Sequence, residues 1–165
     1  MLDAVIVGGG PAGATAGRLL AEWGYRVLIL TTPPNRRTAL AECLPPSTRK
    51  LFQYLGMQDA IDAAGFYRTT GNTVWWKGEE RIEPYPEGWG YQVVRADFDS
   101  LLLDMARKAG AQVHLRKVTG KQDLPRAQWV LDCSGRAAVL SRDYHVKQLF
   151  HVKQSTIALC GVWRN

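Results

Sequence analysis

Cysteine is scarce in this sequence, and the three present, Cys43, Cys133 and Cys160, are odd in number and far apart. That spacing excludes a disulfide framework and a cysteine metal knot, and it predicts a reduced, cytoplasmic protein. No apolar run approaches the roughly 20 residues of a membrane span. No basic stretch precedes the first apolar run, so the N-terminus reads as a strand and not as a signal peptide. Histidines number three. Two of them, His145 and His151, stand six apart in a repeated His-Val-Lys-Gln without neighbouring acids or cysteines, so no metal site is expected. Lys and Arg outnumber Asp and Glu by 21 to 15. They are scattered or paired, as in Arg36-Arg37 and Arg116-Lys117, and lack the basic stripe with interleaved aromatics that nucleic acid requires. The net charge of +6 suits a solvated surface with some attraction for a phosphate-bearing ligand.

Hydrophobic residues make up 46% of the 165, enough for a packed core in one ordinary domain. The most ordered pattern is at the start. Ala4-Val5-Ile6-Val7 is a short β-branched run, Gly8-Gly9-Gly10-Pro11-Ala12-Gly13 breaks it, a helix is expected from Pro11 to Trp23, and a second strand runs from Arg26 to Thr31. Strand, glycine turn, helix and strand form the opening unit of a dinucleotide-binding sheet. Gly8 lets the chain turn off the strand, Gly10 leaves room for a pyrophosphate, and Gly13 lets the helix lie close. Pro11 falls where a missing N–H costs little. The helix N-terminus then faces the anion. The expected inward face of the helix is Ala12, Ala16, Leu19, Leu20 and Trp23, with Gly24 as its stop, and the small residues Ala12, Ala16 and Gly17 suit close approach to the sheet. The alternative is a glycine turn that only packs a helix on a sheet. A carboxylate is expected at the end of the second strand, to hold ribose hydroxyls; this chain has Thr31-Thr32 instead. Arg36 and Arg37, a little further on, fit the 2′-phosphate of NADP, or are simply solvated.

Thr32 to Pro46 reads as a loop, with Pro33, Pro34, Pro45 and Pro46 opposing regular structure. Ser47 is the expected N-cap of a helix to Leu55, with Leu51 and Leu55 on its apolar face. A second short helix is expected from Met57 to Ala64, and two strands, Asn72 to Lys77 and Glu80 to Glu83, flank Gly78. Trp75, Trp76, Tyr85, Trp89 and Tyr91 concentrate here, as the core of a small sheet or, alternatively, the lining of a pocket for a flat substrate. Tyr91 to Arg95 reads as a strand and Ala96 to Ala109 as a helix, with acids in its first turn and Arg107-Lys108 in its last. Ala111 to Val118 alternates as a strand. Trp129 to Asp132 reads as a short buried strand running into Cys133-Ser134-Gly135-Arg136, which is either a place for close ligand approach or a plain turn. Thr156 to Trp163 is a last strand candidate, and the chain reads as an N-terminal portion of something longer.

Four segments occur in a telling order: Gly8 to Ala14; Glu42-Cys43-Leu44-Pro45-Pro46-Ser47; Arg95-Ala96-Asp97-Phe98-Asp99 followed by Leu102; and Leu131 to Arg136. Together they resemble the flavin-dependent monooxygenase and halogenase superfamily, particularly its tryptophan-halogenase-like branch. The resemblance implies an α/β, Rossmann-like three-layer fold that binds FAD, with part of an inserted β-rich substrate domain. It implies one FAD- or NAD(P)-binding domain over residues 1–165 with a β-rich insertion at about 66–94. Gly8, Gly10, Pro11, Ala12, Gly13 and Ala14 would cradle the FAD pyrophosphate, and Thr31 would stand where the family has its ribose acid. Glu42, Ser47 and Arg95 would face the flavin, and Asp132 and Gly135 would lie beside the cofactor. The family's later Gly-Asp motif and its Trp-x-Trp-x-Ile-Pro motif are absent. The implied activity is an FAD-dependent oxidation of an aromatic or other electron-rich small molecule by reduced flavin and oxygen, supplied by a flavin reductase or NAD(P)H. No catalytic residue is assigned. A nicotinamide dehydrogenase and a non-catalytic nucleotide-binding domain are the alternatives.

Overall fold

The computed structural model describes residues 1–35 and 40–144. Arg36, Arg37, the two His-Val-Lys-Gln segments, Cys160 and the expected strand Thr156 to Trp163 lie outside the described residues. In chain order the elements are β1 (Leu2–Val7), α1 (Pro11–Glu22), β2 (Val27–Thr31), β3 (Ala41–Leu44), α2 (Ser47–Tyr54), α3 (Gln58–Ala63), β4 (Tyr67–Thr69), β5 (Gly71–Trp76), β6 (Glu79–Pro84), β7 (Gly90–Val94), α4 (Arg95–Lys108), β8 (Gln112–Leu115), β9 (Ala127–Asp132) and α5 (Val139–Asp143). They divide into two compact units: residues 1–33 with those from Leu102 onward, and Pro34–Leu101.

The first unit is built on a parallel sheet in the order β8-β2-β1-β9. Parallel strands covered on both faces need apolar residues at successive positions, and Val27, Leu28, Ile29, Leu30 and Thr31 are all buried. Register aligns the strand ends: Val7 lies opposite Leu30 and Asp132, and Thr31 opposite Leu115. Ligands of open parallel sheets bind outside this carboxyl edge. Val5, Val7, Leu28 and Leu30 pack with Val118, Val139 and Leu140 on one face. On the other, a Cβ added at Gly17 of α1 would stand 2.5 Å from Ile29 Cδ1. The buried residues of α1 are therefore Gly13, Ala14 and Gly17, while the expected inward residue Trp23 is 68% exposed. The helix backbone comes so near the sheet that only its smallest side chains fit between. Gly24 adopts φ +86 beyond the helix end, the left-handed geometry that glycine accepts without strain. The expected strand from Ala111 to Val118 ends at Leu115. The expected burial of β9 is overturned: none of its residues is buried, and Trp129 is 66% exposed.

The second unit has an antiparallel sheet in the order β3-β7-β4 and a separate hairpin of β5 and β6. β3 lies inside the expected proline-rich loop. Its residues pair with β7, Ala41 with Val94 through Leu44 with Tyr91, a long-range contact that local propensity does not reveal. Ser47 is the first helical residue of α2 and not its N-cap. Pro46 holds the cap position without a side-chain hydrogen bond, and the Thr48 hydroxyl donates to Pro45 O at 2.7 Å. Phe52, and not the exposed Leu51, points inward from α2. Its ring meets those of Tyr91 and Phe98 at 6.5 and 6.2 Å between centroids. Of the five aromatics Tyr91 alone is fully buried; Trp89 lies beneath the Arg49 guanidinium at 3.8 Å. Trp75 and Trp76 stand exposed on the hairpin, so for them the core expectation is overturned. The hairpin is a two-stranded ribbon, and Lys77 and Gly78 turn it with φ of +53 and +85, as a two-residue type I′ loop requires.

Candidate functional site

The glycine turn joins β1 to α1 at the carboxyl edge of the parallel sheet. Gly8 has φ +103, and a Cβ there would fall on the carbonyl oxygen of Cys133; one on Gly13 would fall on the carbonyl oxygen of Gly8. The turn is thus held against β9 and α1 by backbone alone. Gly10 precedes the helix in an extended conformation, and no side chain caps α1. The first turn of α1 carries Pro11 and no acid. The Ala14 N–H bonds Gly10 O at 2.9 Å, and in an α-helix the N–H groups of Ala12 and Gly13 have no intrahelical acceptor. An uncapped helix N-terminus, free of acid and approached through glycine, fits a diphosphate.

Thr31 does not project a free hydroxyl. Its Oγ1 accepts from Gly9 N at 3.0 Å and donates to Thr32 O at 3.2 Å, and the residue is buried. The side chain at the ribose-acid position therefore ties the second strand to the glycine turn. This role was not legible in the sequence, because a partner 22 residues away leaves no local signal.

Asp132 ends β9 and organises the next turn. Its Oδ1 accepts from Ser134 N at 3.1 Å and Ser134 Oγ at 2.5 Å, and its Oδ2 from Leu140 N at 2.9 Å and Ser141 N at 3.1 Å. Ser134 Oγ in turn accepts from Val139 N at 2.9 Å. Burial pushes the Asp132 carboxyl up, but the bonds from Ser134, Ser141 and Leu140 outweigh it and hold the group below the usual carboxylate range. Burial, helped by the Asp132 charge, pushes the neighbouring Cys133 thiol up. It stays protonated near neutrality and is a poor nucleophile. Gly135 takes φ +61 with open space on its Cβ side. A cavity of about 490 Å³ opens at the same strand edge, lined by Val7, Gly8, Leu30, Thr31, Thr32, residues 116–119, Ser134, Ala137, Val139 and Arg142. Gly8 and Thr31 thus share one site with basic residues the sequence reading did not single out as ligands. Arg116-Lys117 was visible only as a charge pair, and Arg142 gave no signal.

In the second unit, Arg95 opens α4 directly after β7. Its Nε and Nη2 donate to the two Asp99 oxygens at 3.0 and 3.1 Å, and its Nη1 donates to Glu42 Oε1 at 2.8 Å. Asp99, one helical turn on, raises the Arg95 pKa most, with Glu42 adding to it against the effect of burial. Glu42 reaches Arg95 because β3 pairs with β7. The structure thus brings together Gly8, Gly10 to Ala14, Thr31, Asp132 and Gly135 within one unit, and Glu42 with Arg95 within the other, where Ser47 begins α2. Among the described residues no group of three or more His, Cys, Asp or Glu forms a metal cluster, and no helix is long and apolar enough to cross a membrane.

A family model described as FAD binding domain matches residues 1–147. Tryptophan 2-halogenase of Chondromyces crocatus is 28% identical over 97% of this chain and 35% of its own length. Flavin-dependent halogenase armH3 of Armillaria mellea is 26% identical over 98% of this chain and 38% of its own. Among solved structures, the myxobacterial chondrochloren halogenase CndH, a variant of FAD-dependent halogenases, superimposes with a TM-score of 0.73 at 28% identity, covering 86% of this chain and 39% of that one. The chain spans little more than a third of the length of these relatives.

Proposed function

This chain belongs to the FAD binding domain family, and from that premise we propose that the intact protein is an FAD-dependent oxidoreductase of the monooxygenase or halogenase kind. Its substrate is an aromatic or other electron-rich small molecule, and the reducing equivalents come from a flavin reductase or NAD(P)H in the cytoplasm. Bound FAD, once reduced, supplies the reaction with oxygen. The carrying observation is the glycine turn at the carboxyl edge of the parallel sheet, where the N-terminus of α1 carries no side-chain cap and no acid.

The residues divide the work. Gly8, Gly10 and Gly13 admit the FAD pyrophosphate, and the N–H groups of Ala12 and Gly13 hold it, with Pro11 and Ala14 fixing the first helical turn. Thr31 keeps the Gly9 N–H directed into β2. Asp132 and Gly135 shape the second turn of the site through backbone hydrogen bonds. Glu42, Ser47 and Arg95 belong to the flavin side; there Glu42 and Asp99 fix the orientation of the Arg95 guanidinium. The β-rich stretch at about 66–94 is part of the substrate domain.

Titration of the 165-residue chain with FAD, followed by quenching of flavin fluorescence, tests this reading. Saturable binding that Gly10→Val abolishes while circular dichroism stays unchanged is the expected result. Absence of binding by the parent chain overturns it.

A further inference from the structure

The opening run holds one glycine more than a diphosphate needs. The spaced motif calls for Gly8, Gly10 and Gly13 and leaves the residue at Gly9 open. In the structure a Cβ at Gly9 would stand 2.8 Å from both Thr31 Oγ1 and Leu103 Cδ2. Thr31 thus lies directly against the turn, 9% exposed. Its hydroxyl accepts from Gly9 N at 3.0 Å and gives its one proton to Thr32 O at 3.2 Å.

Thr31 nonetheless stands where a strand-end carboxylate accepts hydrogen bonds from ribose hydroxyls. Nothing takes over that task. All 15 acids of the sequence lie within the described residues, and none lines the cavity at the strand edge. Asp132, the acid that ends β9 at the same edge, has both oxygens engaged by the turn after it. A site built to bond a hydroxyl rejects the analogue lacking it, because its own buried polar group is then left unpaired. Here the polar group at that position is already paired, and such an analogue leaves nothing unsatisfied. We infer that Thr31 is a positioning residue and not a ribose ligand. It fixes the Gly9 amide, and with it the course of the glycine turn, and it leaves the chain indifferent to the hydroxyls of the adenosine ribose. The inference rests on the reading of the glycine turn as a diphosphate site.

The probes are FAD and its analogue with 2′,3′-dideoxyadenosine in place of adenosine, each titrated against the 165-residue chain by flavin fluorescence. The two are expected to bind within about threefold of each other, and a larger preference for FAD overturns the inference. This comparison needs no variant, so it decides the matter even where a substitution fails to fold. Thr31→Val keeps the shape but leaves the Gly9 N–H unpaired. It is expected to weaken both ligands about tenfold, with Thr31→Ser restoring them. Unchanged affinity in a Thr31→Val chain that circular dichroism shows to be folded overturns the positioning role. Thr31→Glu places a carboxylate at the cavity wall and is expected to create the missing selectivity, about tenfold in favour of FAD. FAD binding by that variant without any such preference overturns the assignment of this position to the ribose. A strong ribose preference in the parent chain overturns this inference alone and leaves the flavoprotein reading standing. Failure of the parent to bind either ligand overturns both.

Discussion

β2 and the hairpin of β5 and β6 were both readable as strands, yet they meet opposite surroundings. All five residues of β2 are buried; on the hairpin Trp75, Trp76 and Ile82 are each about 70% exposed. β2 has parallel partners on both sides and cover on both faces, so its shape is held by long-range packing. The hairpin has one antiparallel partner and a turn whose two residues take positive φ, so its register is held by local turn chemistry. The same contrast separates two glycines. Gly8 and Gly78 both have φ beyond +80. Gly8 is crowded by the backbone of Cys133, whereas Gly78 has nothing within 4 Å of its Cβ position.

The sharpest way to break this contrast is Gly8→Ala. Left-handed strain and overlap with backbone that cannot move away are expected together to cost about 3 kcal/mol, with loss of FAD binding, read by urea unfolding and flavin titration. A next, smaller effect is expected at Asp132, which anchors the turn after β9 that Gly8 packs against. Asp132→Ala removes the acceptor for the first amides of α5 and is expected to cost about 1–2 kcal/mol. The carboxyl is held below its ordinary range. Its contribution is therefore complete above about pH 4 and is lost as the pH falls through the depressed folded value. Unfolding midpoints between pH 7 and 3 are thus expected to converge for parent and variant at the acid end.

In the second unit, Tyr91 OH donates to Asp62 Oδ1 at 2.8 Å and accepts from Gln58 Nε2 at 2.7 Å. Tyr91→Phe leaves the ring packing intact and is expected to cost about 1 kcal/mol, measured by thermal unfolding. Gly78→Ala carries the left-handed strain alone, also about 1 kcal/mol, and is expected to leave FAD affinity unchanged; equal costs at Gly8 and Gly78 would contradict the crowding seen at Gly8. The smallest effect is at Asp3, whose carboxyl is lowered to about 2 by hydrogen bonds from the Arg26 side chain and backbone. Asp3→Asn is expected to alter stability slightly at neutral pH and not at all below pH 2, with the Asp3 titration followed directly by NMR.

Much of the nucleotide unit was legible because its signals are local. β-branched runs, a glycine at each crowded position and helix-terminal charges all act within a few residues. The inward face of α1 was legible in part: the close approach at Gly13 and Gly17 was expected, but the apolar period also favours Leu19, Leu20 and Trp23, whereas the closeness of helix and sheet leaves only Gly13, Ala14 and Gly17 buried. β3 was missed for a related reason. Pro33, Pro34, Pro45 and Pro46 argue for loop, and only pairing with β7 supplies the hydrogen bonds that make Ala41 to Leu44 a strand. Ser47 has the composition of an N-cap, yet helical geometry begins at that residue, with Pro46 already in helical φ and ψ.

By itself the sequence determined the strand–turn–helix opening, since only glycine tolerates both the left-handed turn at Gly8 and the backbone contact at Gly13. It also determined the placement of α4 and the hairpin turn. Tertiary structure decided what the polar side chains do. Thr31 turned inward to Gly9 and Glu42 to Arg95, because each partner lies far along the chain or across a strand pair, and Asp132 to the amides of α5, which the turn after β9 folds back onto it. Hydrogen-bond geometry depends on distance in space, which residue order does not encode until the strands are in register.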